Sequence, residues 1–126
     1  MSLNLVMMVA LGGALGAVAR YGLTVGMQNW LGTGFPWGTL LVNVVGSFLL
    51  GVLAEFWANR LHLGVEGRLL WMTGFCGGLT TFSTFSLETV HLLNNGQTWP
   101  AVGNIALNLI LTLGAVVAGI LLARWV

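Results

Sequence analysis

Hydrophobic residues fill four long segments of the chain, and short polar or glycine-rich stretches separate these segments. They run over about residues 3–31, 37–57, 68–93 and 99–125. Each has at least the roughly 20 residues that a helix needs to cross the hydrocarbon core of a bilayer. The pattern predicts an all-α integral membrane protein, with residues 1–126 forming a single domain of four transmembrane helices.

The stretches between the segments carry residues that favour turns. Residues 32–36 (GTGFP) break the pattern before the second segment, and residues 94–97 (NNGQ) precede the fourth. Residues 59–67 (NRLHLGVEG) are the most polar stretch and are predicted to form an exposed loop. Six tryptophans lie near the predicted segment ends, as expected for an aromatic belt at the membrane surface.

The composition supports a membrane protein and excludes three other classes. Hydrophobic residues make up 57% of the chain and charged residues 6%, whereas soluble domains have about 25% charged residues. High hydrophobicity and low charge also exclude intrinsic disorder. Four arginines spread along the chain form no basic patch, so no nucleic-acid partner is expected. The expected surroundings are the lipid bilayer.

The arginines indicate the orientation in the membrane only weakly. Four spans place both termini and the 59–67 loop on one side, and this side carries Arg60, Arg68 and Arg124. The opposite side has only Arg20, displaced into the first segment. The positive-inside rule therefore mildly favours cytoplasmic termini, and a bias this small allows insertion in both orientations.

Glycines and polar residues interrupt the third segment. Residues 74–88 read GFCGGLTTFSTFSLE, in which two adjacent glycines precede a run of hydroxyl side chains. This composition predicts a helix break near the middle of the membrane. Irregular backbone at that depth is tolerated only where it is buried in protein or lines a water-filled path. In the first segment, Gly12 and Gly16, and likewise Gly22 and Gly26, have the spacing that lets helices approach closely.

Polar side chains recur every four residues in three of the segments, and therefore share a helix face. Hydrogen bonding between helices explains any single one of them. Three such stripes together with a helix break favour a polar path across the membrane, since intramembrane polar clusters often mark solute routes. The stripes are Asn43 and Ser47; Thr80, Thr84 and Glu88; and Asn104, Asn108 and Thr112.

Four further residues each allow two interpretations. Glu88 is either an interfacial carboxylate or a gating or coupling group at the end of its stripe. Arg20 either extends its charge to the membrane surface or attracts anions to a pore mouth. Phe82 and Phe85, spaced i, i+3, either pack against another helix or present their positive ring edges to an anion.

Catalytic motifs are missing from the sequence, so no enzymatic activity is expected. It has no Ser/His/Asp set, phosphate-binding loop or metal-ligand cluster. His62 and His91 fall near predicted loops and are interpreted as surface residues. Cys76 is the single cysteine and has no partner for an intrachain disulfide.

Three stretches of the sequence are similar to a known family. Residues 12–23 (GGALGAVARYGL), 38–51 (GTLLVNVVGSFLLG) and 74–88 (GFCGGLTTFSTFSLE) together resemble the Fluc/CrcB family of small bacterial fluoride channels. The resemblance covers the whole chain in length, segment number and order, and the TTFSTFS run after Gly-Gly is its most specific part.

The resemblance implies an antiparallel homodimer of dual topology, with two pores at the subunit interfaces. It implies that the third helix breaks at residues 77–80 and that the two breaks cross at the dimer centre. It also implies one structural Na⁺ at this centre, held by the backbone carbonyls of Gly77 and Thr80 from both subunits.

The resemblance also assigns side chains to the pores. Phe82 and Phe85 match a pair whose ring edges face fluoride, Asn43 matches a pore-lining asparagine, and Arg20 matches an arginine near the aqueous vestibule. Further pore-lining positions are, on the third helix, Ser83, Thr84 and Glu88, and on the fourth, Asn108 and Thr112. Asn104 belongs to the same stripe as Asn108, and the two asparagines are expected to influence the conduction rate.

The implied function is passive, fluoride-selective export across the bacterial cytoplasmic (inner) membrane. A small proton-coupled exporter that uses Glu88 is the alternative. Small multidrug-type exporters have a similar size, but they require a carboxylate in the first helix, where this chain has Arg20 and no acid. A non-transporting membrane scaffold would explain the glycine spacing but not the hydroxyl-rich third segment.

Overall fold

The computed structural model describes residues 1–59 and 64–126, and every regular element in these residues is helical. Arg60 and His62 lie outside the described residues. Within these two ranges, three helices are long and apolar enough to cross a membrane: α1, α2 and α6. The helices, with π1 denoting a π-helical piece, are α1 (Leu3–Leu31), α2 (Trp37–Asn59), α3 (Gly64–Arg68), π1 (Leu69–Cys76), α4 (Gly77–Leu79), α5 (Phe82–Asn94) and α6 (Thr98–Trp125).

Helical backbone covers part of the polar 59–67 stretch, which is predicted to form an exposed loop. The α2 helix continues to Asn59, whose side-chain amide donates a hydrogen bond of 2.7 Å to Glu55 Oε1 one turn earlier. Residues 64–68 are helical as well, with Glu66 in the first turn and Arg68 in the last. The acidic residue near the start and the basic residue near the end complement the dipole of α3. The charges of this stretch therefore favour a short helix.

The third segment is divided into several helical pieces. Its first part passes through α3, π1 and α4, and helical backbone ends at Leu79. Thr80 (φ −84°, ψ 155°) and Thr81 (φ −150°, ψ 120°) are extended, and α5 begins at Phe82. The prediction that Thr80 shares a helix face with Thr84 and Glu88 is therefore wrong, because Thr80 precedes the helix that carries the other two.

The α1 helix packs closely against the third segment through glycines. A methyl group at Gly12 would collide with the Leu70 carbonyl oxygen, and one at Gly16 would collide with the carbonyl oxygen of Phe75. The spacing of this pair correctly predicts a close helix contact. The Gly22 and Gly26 pair behaves differently, because a methyl group at either would meet nothing within 4 Å in the described residues.

The α2 and α6 helices form the second close pair. A methyl group at Gly51 would meet the Val116 carbonyl oxygen, and one at Gly119 would meet the carbonyl oxygen of Phe48. The two glycines let the backbones approach, which holds the polar positions of α2 and α6 at a fixed separation. This arrangement places the residues of the candidate site.

Candidate functional site

A cavity of about 350 Å³ lies between α2, the third segment and α6, and it contains most of the predicted site residues. It opens on the outer surface of the chain, where the Phe82 side chain is 75% exposed. The helix break forms one wall, and the Asn43 and Ser47 stripe of α2 faces it. The predicted residues that line the cavity are Asn43, Gly77, Thr80, Phe82, Phe85, Asn108 and Thr112.

Asn43 holds the helix break together. Its Oδ1 accepts a hydrogen bond of 2.8 Å from the Thr81 backbone N–H, and its Nδ2 donates to the Thr81 carbonyl oxygen at 3.1 Å. The second Nδ2–H of Asn43 donates to Asn108 Oδ1 at 3.0 Å. One amide side chain therefore satisfies the Thr81 N–H, which helical bonding leaves out, and adds a second donor to the carbonyl of this N-cap residue.

Four backbone carbonyls, those of residues 77–80, lose their usual helical donors at the break. In a continuous helix, the Gly77 carbonyl would accept from the Thr81 N–H and the Thr80 carbonyl from the Thr84 N–H. The Thr81 N–H instead donates to Asn43 Oδ1, and the Thr84 N–H donates to Thr81 Oγ1 at 3.2 Å. A third carbonyl, that of Gly78, accepts a bond of 3.0 Å from Arg20 Nε.

The two phenylalanines are neighbours but differ in burial. Their ring centroids lie 5.3 Å apart with an interplanar angle of 51°. Phe85 is buried at 8% exposure, whereas Phe82 projects outward. Both rings line the cavity, so aromatic rings and polar groups border the same space.

The hydroxyl groups of the cavity are not equally free to donate hydrogen bonds. Thr80 Oγ1 donates to the Cys76 carbonyl at 3.0 Å, and Thr112 Oγ1 donates to the Asn108 carbonyl. Their protons are thus engaged within their own segments. Ser47, which faces the cavity, makes no side-chain hydrogen bond to the described residues. Its proton is available to a bound acceptor.

The remaining predicted residues lie outside this cavity. Arg20 and Thr84 border a cavity of about 260 Å³, and Glu88 borders one of about 270 Å³. Thr39 lines both of these spaces. Glu88 Oε1 is buried without a hydrogen-bond partner among residues 1–59 and 64–126. Ser83 is exposed, with its Oγ 3.4 Å from Thr81 Oγ1.

Two residues that organise the site were not among the predicted positions. Thr81 provides both backbone groups that Asn43 binds, and its Oγ1 caps α5. Thr39 lines both the cavity bordered by Arg20 and the cavity bordered by Glu88. It stands four residues before Asn43, so extending the i, i+4 stripe of α2 one turn towards its start would have identified it.

Comparison with known proteins places the sequence in a family. The family described as CrcB-like protein, Camphor Resistance (CrcB), matches residues 7–120. The chain belongs to the CrcB family. A CrcB relative from Hahella chejuensis is 50% identical over 124 residues, and one from Nitrobacter winogradskyi is 45% identical over 124 residues. Each of these alignments covers 98% of both chains.

A third CrcB relative, from Methylococcus capsulatus, is 48% identical over 92% of this chain and 51% of its own length. All three relatives are named fluoride-specific ion channel FluC. This family membership confirms the sequence resemblance. Channel names also confirm the expectation that the CrcB chain is not an enzyme. With its apolar helices, the chain is a multi-pass membrane protein.

Proposed function

We propose that this chain forms a fluoride-selective passive channel that exports fluoride across the bacterial cytoplasmic membrane. The observation that carries the proposal is the cavity in which Asn43, Ser47 and the two phenylalanines converge. The names of the relatives support fluoride as the ion. Small hydrated anions need compensating donors on dehydration, and sites without a fixed positive charge allow the ion to leave again.

The same cavity supports assembly as an antiparallel homodimer with two pores. It opens outward from the chain while carrying asparagine and threonine side chains in the middle of apolar segments. Polar groups at membrane depth require protein or water beside them. A second copy seated over the opening would close the cavity into a pore, and the two-fold symmetry of such a pair would generate two pores.

The break also suits one structural Na⁺ at the dimer centre. Gly77 and Thr80 provide carbonyl oxygens whose helical donors are engaged elsewhere. Carbonyl oxygens are suitable ligands for alkali cations. One chain offers two of them, so a second copy would complete a set of four. A bound cation would satisfy these carbonyls at the dimer centre, while Asn43 would keep both carbonyl-bearing ends of the break in place.

The proposal is tested by anion efflux from liposomes that contain the purified protein. Liposomes are loaded with KF or with KCl, a potassium ionophore is added, and each anion is followed with an electrode. We expect fluoride efflux without chloride efflux and without any imposed pH gradient. No fluoride efflux from folded protein would overturn the channel.

Glu88 supports a second candidate, a proton-coupled exporter. Its buried Oε1 has no hydrogen-bond partner in the described part of the chain and borders the same cavity as Thr39, so this carboxylate is a group that could carry a proton. Fluoride efflux that appears only when a pH gradient is imposed, and that is lost in Glu88→Gln, would favour this exporter over the channel.

Replacing either phenylalanine of the cavity with isoleucine should reduce fluoride efflux by about two- to tenfold. Isoleucine keeps an apolar side chain but removes the positive ring edge, and such aromatic contacts contribute about 0.5–1.5 kcal/mol. Efflux by Phe82→Ile and Phe85→Ile is compared with that of Phe56→Ile, which lies on α2 and does not line this cavity. Wild-type efflux in both cavity variants would remove the phenylalanines from the conduction path.

A Na⁺ gradient should leave the fluoride efflux rate unchanged, whichever side has more Na⁺. A structural ion stabilises the folded state through binding but does no transport work. The Tm of the purified protein should therefore rise with Na⁺ concentration relative to N-methylglucamine at equal ionic strength. Efflux that follows the direction of the Na⁺ gradient would make Na⁺ a coupling ion instead.

A further inference from the structure

A continuous chain of side-chain hydrogen bonds runs from the helix break into the interior between α5 and α6. Asn43 Nδ2 donates to Asn108 Oδ1 at 3.0 Å. Asn108 Nδ2 donates to both oxygens of Asn104, the backbone carbonyl at 2.9 Å and Oδ1 at 3.0 Å. Asn104 Nδ2 donates to Thr89 Oγ1 at 2.9 Å, and Thr89 donates to the Phe85 carbonyl at 2.8 Å.

This series of hydrogen bonds determines which end of the Asn108 amide faces Asn43. Both N–H groups of Asn108 are held by Asn104, so its oxygen must point towards the cavity. The reversed amide would place its NH₂ group against the NH₂ group of Asn43 and its oxygen against two oxygens of Asn104. Asn104 is completely buried and Asn108 is 5% exposed, so water cannot easily compensate for that reversal.

Asn43 consequently has no free donor in this state. One of its two N–H groups is bound to the Thr81 backbone and the other to Asn108 Oδ1. The Thr81 bond is one of a reciprocal pair that holds the helix break. The Asn108 bond is to a side-chain oxygen, and its loss leaves the backbone at the break in place. An anion in the cavity therefore gains an Asn43 donor most readily by replacing the Asn108 oxygen.

We propose that the Asn108 side-chain oxygen is a resident acceptor that occupies the Asn43 donor until an anion displaces it, and that Asn104 is the positioning residue that aims it. The inference rests on the proposed channel function. A charged acceptor forms a stronger hydrogen bond than an amide oxygen, so fluoride can displace the resident group. The displaced bond subtracts from fluoride affinity, which promotes release.

The first test is the fluoride concentration at which efflux is half-maximal. Asn108→Ser removes the resident acceptor, because a serine hydroxyl on a helix bonds to the carbonyl one turn earlier. We expect the half-saturating fluoride concentration to fall about fivefold, the factor for one net hydrogen bond of about 1 kcal/mol. Asn108→Ala serves as a second variant with the same expectation. Asn94→Ser, the same substitution at an exposed asparagine, should leave the concentration unchanged.

The second test separates positioning by Asn104 from a contribution to folding. Asn104→Ser removes one of the two acceptors that hold the Asn108 amide, so the half-saturating concentration should fall by less than in Asn108→Ser. Combined with Asn108→Ser, it should cause no further change, because Asn104 acts only through Asn108. Loss of folded protein would lower the maximal efflux rate but would leave the half-saturating concentration where it was.

The outcomes distinguish this inference from the proposed function. A wild-type protein that shows no fluoride efflux contradicts the channel itself. Wild-type efflux with the same half-saturating concentration in Asn108→Ser and Asn108→Ala overturns the resident acceptor while the channel stands. Additive shifts in the Asn104 and Asn108 double variant overturn the positioning role of Asn104.

Discussion

Replacing Asn43 with alanine is expected to abolish measurable fluoride efflux and to destabilise the protein. The side chain satisfies the Thr81 N–H, the Thr81 carbonyl and Asn108 Oδ1 at once. Alanine leaves all three groups without this partner, and each unpaired group in a part-buried position costs about 1–3 kcal/mol. The unpaired Thr81 N–H alone would cost at least about 1 kcal/mol, and it lies at the helix break, which both proposed pores require.

The measurement combines thermal unfolding in detergent with efflux from liposomes. Asn94→Ala is the matched control, because this asparagine is exposed at the end of α5. The control should keep the wild-type Tm and efflux rate. If Asn43→Ala retained both, the Asn43 amide would not be what holds the break.

A methyl group at Gly119 is expected to separate α2 from α6 and to prevent normal folding. In Gly119→Ala the new carbon would overlap the Phe48 carbonyl oxygen and lie 3.0 Å from the Val52 nitrogen. These are backbone atoms of α2, so relief requires the helices to move apart. Overpacking of this kind costs about 1–3 kcal/mol, and lost contacts along the pair add to it.

Gly114→Ala provides a control on the same helix. A methyl group at this glycine meets nothing within 4 Å in the described residues, so the substitution should leave the Tm unchanged or raise it. Size-exclusion chromatography and thermal unfolding of the two variants in detergent test the pair. Equal Tm values would contradict a close α2–α6 contact at Gly119. Lowered Tm in both would indicate that Gly114 is covered in the assembled protein.

Sequence periodicity succeeded where the relevant contacts are local. The polar positions of α2 and α6 recur every four residues, and a single helix brings them to one face whatever surrounds it. Asn104, Asn108 and Thr112 therefore share a face of α6, as their spacing predicts. The same reasoning failed for Thr80, because its backbone leaves the helix at the break and the periodicity no longer applies.

Periodicity also gave no information about how each polar group is satisfied. Thr80 and Thr112 look like equal donors in the sequence, yet both hydroxyls are bonded to carbonyls of their own segments. Ser47 has the same type of side chain and remains free towards the cavity in the described structure. Which hydroxyl can serve a ligand depends on the rotamer that neighbouring helices permit.

The sequence by itself determined the membrane environment, the helical segments, the glycine-dependent contact of α1 and the membership of a channel family. These follow from composition and short-range spacing, which act within a single helix. Only the tertiary structure decided that Asn43 binds Thr81 and Asn108, residues 38 and 65 positions away along the chain. Hydrogen bonds over such separations depend on how α2, α6 and the break are packed, and that packing brings polar residues of α2, of α6 and of the break to one cavity.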